Sequence, residues 1–321
     1  VAWSPSPPGE LTTVLGVLPL FHAYGMTVVM NASLLRAGRM VLLPRFETDA
    51  VLRAIARSRP HHLPGVPTLY NALLAHPRLA RYDLRSVRVC ISGAAPLPAE
   101  VQARFERATG GALVEGYGLT EASPVTHVTP LAGVRKPGSI GIPVPDTDAR
   151  IVDAETGQRV LPPGEIGELV VRGPQVMRGY WNRPAETAAV LRDGWLYTGD
   201  LARTDDDGFF YIVDRKKEML ITGGFNVYPR EVEEVLHAHP AVQAAALVGI
   251  PDPHRGEVGK AFVVLRPGAR ATAEDLLDHC RRHLAPFKVP VAVEFRESLP
   301  TSPIGKVLRR VLAEDARQRT G

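Results

Sequence analysis

Gly116-Tyr-Gly-Leu-Thr-Glu121 gathers groups that can handle a nucleotide into one short stretch. A β-type run, Gly111-Ala-Leu-Val-Glu115, leads into it. Gly116 and Gly118 at a strand end let the backbone approach a ligand closely or take positive φ. Tyr117 between them offers a flat stacking face. Thr120 can hydrogen-bond a phosphate oxygen. Glu121 can hold the Mg²⁺ that accompanies phosphate, because Mg²⁺ takes hard oxygen ligands together with substrate phosphates. Taken alone, the hexapeptide reads equally well as a glycine-rich turn around a stacked core tyrosine, so its surroundings decide.

The elements that must position it alternate along the chain. Val14–Leu18 reads as a buried strand, Ala23–Ala37 as a helix stopped by Gly38, Arg39–Leu43 as a strand and Thr48–Ser58 as a helix with an acidic start. His61–Leu63 is a predicted short strand, and Pro67–Ala75 a helix with proline in its opening turn. Val87–Ser92 and Pro98–Thr109 repeat the pattern. The fold class expected is α/β, a mostly parallel sheet covered by helices, with ligands beyond the carboxyl ends of its strands. Ser92-Gly-Ala-Ala-Pro-Leu97 is such an end: Gly93, Ala94 and Ala95 leave room for a flat purine, or simply pack closely in a turn. His22 closes another, in Leu18-Pro-Leu-Phe-His22, where a structural histidine is the plainer reading.

From Gly138 onward the pattern changes to short strands between Pro, Gly and Asp clusters, at 140–144, 149–152, 167–172 and 208–213. That predicts a small antiparallel β subdomain over about 138–213. Asp200, after Thr198 and Gly199, is read in a turn, where its carboxylate can accept from ribose hydroxyls or cap the turn itself. The charge run Asp214-Arg-Lys-Lys-Glu218 is the natural boundary between a larger domain, 1–213, and a smaller α+β domain, 214–321. In the latter, helices are expected at 230–238, 274–284 and 306–317, with strands at 242–250, 259–265 and 289–295.

With 321 residues, 45% hydrophobic and 22% charged, the chain has room for large cores and two domains. A net charge of +4, evenly spread, is too mild to argue for a nucleic-acid partner. Cys90 and Cys280 provide neither a disulfide framework nor zinc spacing, which suits a reducing, cytoplasmic setting. The longest apolar stretch, Val14 to Leu35, contains Pro19, His22 and Asn31, which a membrane span of about 20 residues would tolerate poorly. No transmembrane segment is expected; peripheral membrane contact and oligomeric state stay open. Only six of the 38 basic residues are lysine. Lysine is therefore a better candidate than usual for a place needing a compact ammonium.

Tyr117-Gly-Leu-Thr-Glu121 resembles the adenine, phosphate and magnesium motif of the AMP-forming acyl-adenylating superfamily. Four further motifs match it in order: Tyr197-Thr-Gly-Asp200, Asp214-Arg-Lys-Lys-Glu218, Gly223-Gly-Phe-Asn-Val-Tyr-Pro229 and Pro303-Ile-Gly-Lys306. The resemblance covers essentially the whole chain and narrows the superfamily more than the substrate. It implies an acyl-CoA synthetase of the fatty-acid type, using ATP, Mg²⁺ and coenzyme A as co-substrate. By the same resemblance Tyr117 stacks on adenine beside Gly93, Ala94 and Ala95, with Gly116 and Gly118 shaping that site. Thr120 touches phosphate and Glu121 holds the metal. Asp200 and Arg215 contact the ribose, and His22 lies near the acyl carboxylate. The helix of Gly65–Leu74 borders the acyl tunnel. Lys217 is the residue about which the small domain rotates, Gly223 and Gly224 border the pantetheine channel, and Lys306 meets the substrate carboxylate and α-phosphate. Gly167-Glu-Leu-Val-Val-Arg-Gly173 and Gly179-Tyr-Trp-Asn182 resemble a signature that reads as mainly structural.

One element of the family has no match, the Ser/Thr/Gly-rich loop ending in Pro-Lys-Gly that grips the β- and γ-phosphates. The expectation is a C-terminal portion of a longer enzyme, which by itself adenylates little. The rival readings are an aryl-acid CoA ligase, an amino-acid adenylation domain and a non-catalytic nucleotide-binding fragment.

Overall fold

The computed structural model describes residues 11–302 and 307–318. They form two compact units: residues 11–198 with 203–212, and residues 199–202 with 213–302 and 307–318.

The first unit opens with β1 (Thr13–Gly16) and β2 (Arg39–Leu42), paired in parallel. The connection is helical but wider than the sequence period suggests. Gly25–Asn31 is a π-helix, with Ala32 N–H donating to Thr27 O five residues back, and only α1 (Ala32–Leu35) is α-helical. Over seven residues the apolar spacing does not distinguish the two windings. α2 (Thr48–Ser58) buries Val51, Leu52 and Ile55 along one stripe and ends at Arg59 in the left-handed conformation. α3 (Pro67–Leu74) buries Pro67, Leu69, Tyr70 and Leu73. The parallel sheet resumes at β3 (Val89–Ser92), and α4 (Ala99–Thr109) leads to β4 (Ala112–Gly118), parallel to β3. The expected strand at His61–Leu63 is reduced to bridges, with His62 between Val14 and Val89. The core beneath these elements holds Leu15, Leu52, Ile55, Leu63, Tyr70, Leu73, Phe105 and Leu113, all essentially inaccessible. Each such side chain contributes about 1.5–3 kcal/mol by leaving water.

β5 (Val125–Val128) turns back antiparallel on β4, followed by β6 (Ile142–Pro143). The antiparallel subdomain adds β7 (Asp148–Val152) and β8 (Gly167–Arg172), then α5 (Pro184–Val190), β9 (Leu191–Arg192), β10 (Trp195–Thr204) and β11 (Phe210–Arg215). The sheet order is β11-β10-β8-β7. Tyr197–Asp200, read above as a turn, lies inside β10: ladder pairing overrides the local turn signal of Thr-Gly-Asp, and Gly199 keeps φ at +72° within the strand.

The second unit is built on β12 (Leu220–Thr222), β13 (Phe225–Val227), β14 (Val242–Asp252), β15 (Gly256–Leu265) and β16 (Ala292–Phe295), in the order β13-β12-β15-β14 with β16 beside β15. Its helices are α6 (Pro229–Ala238), α7 (Ala273–His283) and α8 (Arg309–Gln318). Val232, Leu236, Leu247, Val263, Leu276 and Cys280 fill one core of this unit. Phe262 and Leu312 fill another on the opposite side of the sheet. Thr272 and Asp275 form a reciprocal capping box on α7. No helix among the described residues is long and apolar enough to cross a membrane.

Candidate functional site

Two strand ends of the first unit converge. Cys90 pairs with Leu113 and Ser92 with Glu115, so Ser92–Leu97 and Gly116–Glu121 leave the carboxyl ends of adjacent parallel strands. Glu115 is buried and its carboxylate accepts from Leu97 N–H at 3.3 Å, tying one loop to the other. Gly93 lies against the Tyr24 ring, 3.3 Å from the place a Cβ would take, and Tyr24 donates its hydroxyl to Ile91 O at 2.7 Å. Tyr24 N–H in turn donates to His22 Nδ1 at 3.2 Å. The segment carrying His22 is therefore held, through Tyr24, against the strand end at Ile91 and Gly93.

Within the hexapeptide, a Cβ on Gly118 would sit 1.7 Å from Pro124 O, so this position admits only glycine. Leu119 N–H donates to that same carbonyl at 2.8 Å and closes the turn. Thr120 is exposed, Glu121 half-buried, and both lie on a short 3₁₀ turn over Thr120–Ala122. Tyr117 pairs across the ladder with His127, ring centroids 6.0 Å apart, and His127 packs on Phe210 at 4.6 Å. His127 is fully buried; burial keeps its imidazole neutral and lowers its pKa to about 3. The Oγ of Ser92 and the Nε2 of His127, one on each side of β4, are buried with no hydrogen-bond partner among the described residues.

The hydroxyl of Thr120 and the carboxylate of Glu121 form a hard-oxygen donor set of the kind magnesium takes beside phosphates. Glu121 Oε1 accepts one hydrogen bond, from Tyr180 Oη at 2.8 Å. The arrangement fits the metal assignment.

In the second unit Asp200 and Arg215 face each other, with Arg215 Nε 3.6 Å from Asp200 Oδ1. Lys216 N–H donates to Gly199 O at 2.9 Å and holds the two strands at that point. Lys217 is exposed. Gly223 and Gly224 have φ of +58° and +86° between the paired residues Thr222 and Phe225. That two-residue hairpin loop by itself calls for glycine at both places. Lys306 falls outside the described residues.

Lysine scarcity turns out to be a poor pointer. Lys136 bridges Asp205 and Asp207 at 2.6 Å each, Lys260 pairs with Glu294 at 2.9 Å, and Lys288 with Glu231 at 2.6 Å. Half of the lysines thus hold structural ion pairs. The apolar stripe of α3 likewise packs into the core of its own unit.

Three residues of these surroundings were given no role of their own from the sequence: Tyr24, His127 and Tyr180. Only His127 had a local signal, since a turn at Ser123-Pro124 sets β5 against the motif strand. The others are joined to the site by contacts between residues far apart in the chain.

The family model described as AMP-binding enzyme matches residues 4–181, and that described as AMP-binding enzyme C-terminal domain matches 231–306. A long-chain-fatty-acid–CoA ligase of Bacillus subtilis is 56% identical over 302 residues, 94% of this chain and 54% of that protein. A feruloyl-CoA synthase of an Amycolatopsis species is 48% identical over 293 residues, 91% of this chain and 59% of that protein. The chain thus spans little more than half the length of these curated relatives. The crystal structure of ATP-bound MatB from Rhodopseudomonas palustris superposes with a TM-score of 0.90 at 38% identity, over 97% of this chain and 61% of that one.

Proposed function

Since the chain belongs to the AMP-binding enzyme family, we propose that its protein is an AMP-forming acid–thiol ligase acting on a medium- or long-chain fatty acid. The substrate carboxylate attacks the α-phosphorus of ATP, forming a P–O bond to the acid as the bond to pyrophosphate breaks. The thiol of coenzyme A then attacks the acyl carbonyl of the adenylate, and AMP leaves with its electron pair.

Transfer of this kind is largely positioning and charge neutralisation. Tyr117 stacks on adenine, against the small residues Gly93, Ala94 and Ala95 and between Gly116 and Gly118. Thr120 donates to a phosphate oxygen. Glu121 holds magnesium, which offsets phosphate charge when bound. Asp200 accepts from the ribose hydroxyls, and Arg215, 3.6 Å from it, contacts the ribose as well. His22 borders the acyl carboxylate, Lys306 offsets charge growing on the α-phosphate, Gly223 and Gly224 border the path of coenzyme A, and Lys217 is the hinge. The observation that supports this reading is the register of β3 and β4, whose adjacent carboxyl ends launch Ser92–Leu97 and Gly116–Glu121 side by side.

The fatty-acid preference rests on the 56% identity with a long-chain-fatty-acid–CoA ligase. The relative acting on a feruloyl group, at 48%, favours an aryl acid as the second reading. An acid panel decides between them. In the full-length protein kcat/KM for AMP formation should rise about fourfold per added methylene while the tail is being buried. Ferulate, benzoates and amino acids should trail laurate and palmitate. A clear preference for ferulate or benzoate would overturn the fatty-acid assignment.

A further inference from the structure

The segment between β8 and α5 grips Glu121 twice. Met177 N–H donates to Glu121 O at 2.7 Å, and Tyr180 Oη donates to Glu121 Oε1 at 2.8 Å. The tyrosine is itself held in place: its N–H donates to Thr187 Oγ1 at 2.9 Å, and that hydroxyl donates to Arg183 O at 2.7 Å, at the start of α5. All of these residues belong to the first unit.

Core packing does not explain where this phenol sits. Tyr180 is 36% exposed, so water could satisfy its hydroxyl. A half-buried carboxylate on a short turn is otherwise free to rotate about its last side-chain bond. A donor fixed on one oxygen sets the plane of the group and directs the lone pairs of the other oxygen.

We propose that Tyr180 is a positioning residue for magnesium: it holds Oε1 of Glu121 so that Oε2 is presented to the metal that accompanies the phosphates. The inference rests on the assignment of Glu121 as the metal-holding carboxylate. Outer partners of metal-binding side chains typically matter about 10–100-fold in metal affinity.

The test is calorimetric, in the full-length protein. α,β-Methylene-ATP is titrated into wild type, Tyr180→Phe and Glu121→Gln, with Mg²⁺ varied and with Mg²⁺ removed by EDTA. In Tyr180→Phe the Mg²⁺ concentration giving half of the metal-dependent gain in nucleotide affinity should rise about tenfold, with the EDTA affinity unchanged. The same shift should appear in the Mg²⁺ needed for adenylate formation, with kcat at saturating Mg²⁺ near wild type. Glu121→Gln separates the two claims. If that variant keeps the wild-type Mg²⁺ dependence, the metal assignment itself falls. If it loses the dependence while Tyr180→Phe keeps it, the assignment stands and the role of Tyr180 is refuted. A Tyr180→Phe variant that unfolds, or weakens EDTA and Mg²⁺ binding equally, would show the hydroxyl to be merely structural and also overturn the proposal.

Discussion

Arg309→Ala is expected to destabilise the second unit by about 3–5 kcal/mol, the range seen when one member of a buried ion network is removed. Arg309 opens α8, and its guanidinium pairs with Glu233 through Nη2 at 2.6 Å and Nε at 3.0 Å, and with Glu218 through Nη1. Glu233 also accepts from Leu247 N–H at 2.8 Å, which ties α6 to β14. Nearby, Asp214 is buried and accepts from Arg230 N–H at 2.8 Å. Burial works against the charge on Arg309, and the carboxylates of Glu233, Glu218 and Asp214 outweigh it. Burial also raises the pKa of Glu233, so removing the guanidinium leaves an uncompensated acid in the interior. The three tryptophans lie at 3, 181 and 195, outside this unit, so hydrogen exchange is the suitable probe. Amides of β14 and β15 should exchange at least about a hundredfold faster in the variant, since about 1.4 kcal/mol corresponds to a factor of ten. Arg309→Met combined with Glu233→Met should recover much of the loss, because an apolar pair of similar volume leaves fewer charges buried. A loss below about 1 kcal/mol, the size of an exposed pair, would contradict this description of the network.

The network also shows where sequence reading stopped. The strand–helix alternation of the first unit was legible because buried strands and amphipathic helices have different periods, and α2 and β8 begin and end where patterning puts them. The β3–β4 ends were legible as a candidate site because ligands in α/β sheets collect at carboxyl termini of strands. What patterning did not reach was decided by partners distant in sequence. Asp200 entered a strand because its neighbours found ladder partners. The winding of Gly25–Asn31 widened without any change in apolar spacing. Tyr180 and Glu121 stand 59 positions apart, and Arg309 and Glu218 stand 91 apart. Arg309, next to Arg310 in a basic run, is locally indistinguishable from a solvated surface residue.

Lys306→Ala should lower adenylate formation in the full-length protein by about 10²–10³-fold, the usual cost of losing one preorganised contact to developing charge. The proposal places its ammonium against the α-phosphate only in the first half-reaction, and the hinge at Lys217 turns it away for the second. Conversion of supplied acyl-AMP and coenzyme A to thioester should then stay near wild type. Lys306→Arg should rescue poorly, because a planar guanidinium does not reproduce a compact ammonium in a fitted site. If Lys306 merely begins the basic C-terminal segment, both half-reactions will change little and together. Equal losses in the two would refute its assignment to the first step alone.

The central claim is that a carboxylate oxygen becomes bonded to the α-phosphorus of ATP. It is tested most directly by supplying the full-length protein with ATP, Mg²⁺, coenzyme A and palmitate labelled with oxygen-18 in its carboxylate, then analysing the phosphorus products by mass spectrometry. The thiol attacks the acyl carbon, so the C–O bond breaks and AMP departs with one labelled oxygen. Singly labelled AMP with unlabelled pyrophosphate is the predicted result. Label in inorganic phosphate alongside ADP, or AMP formed without label, would contradict it.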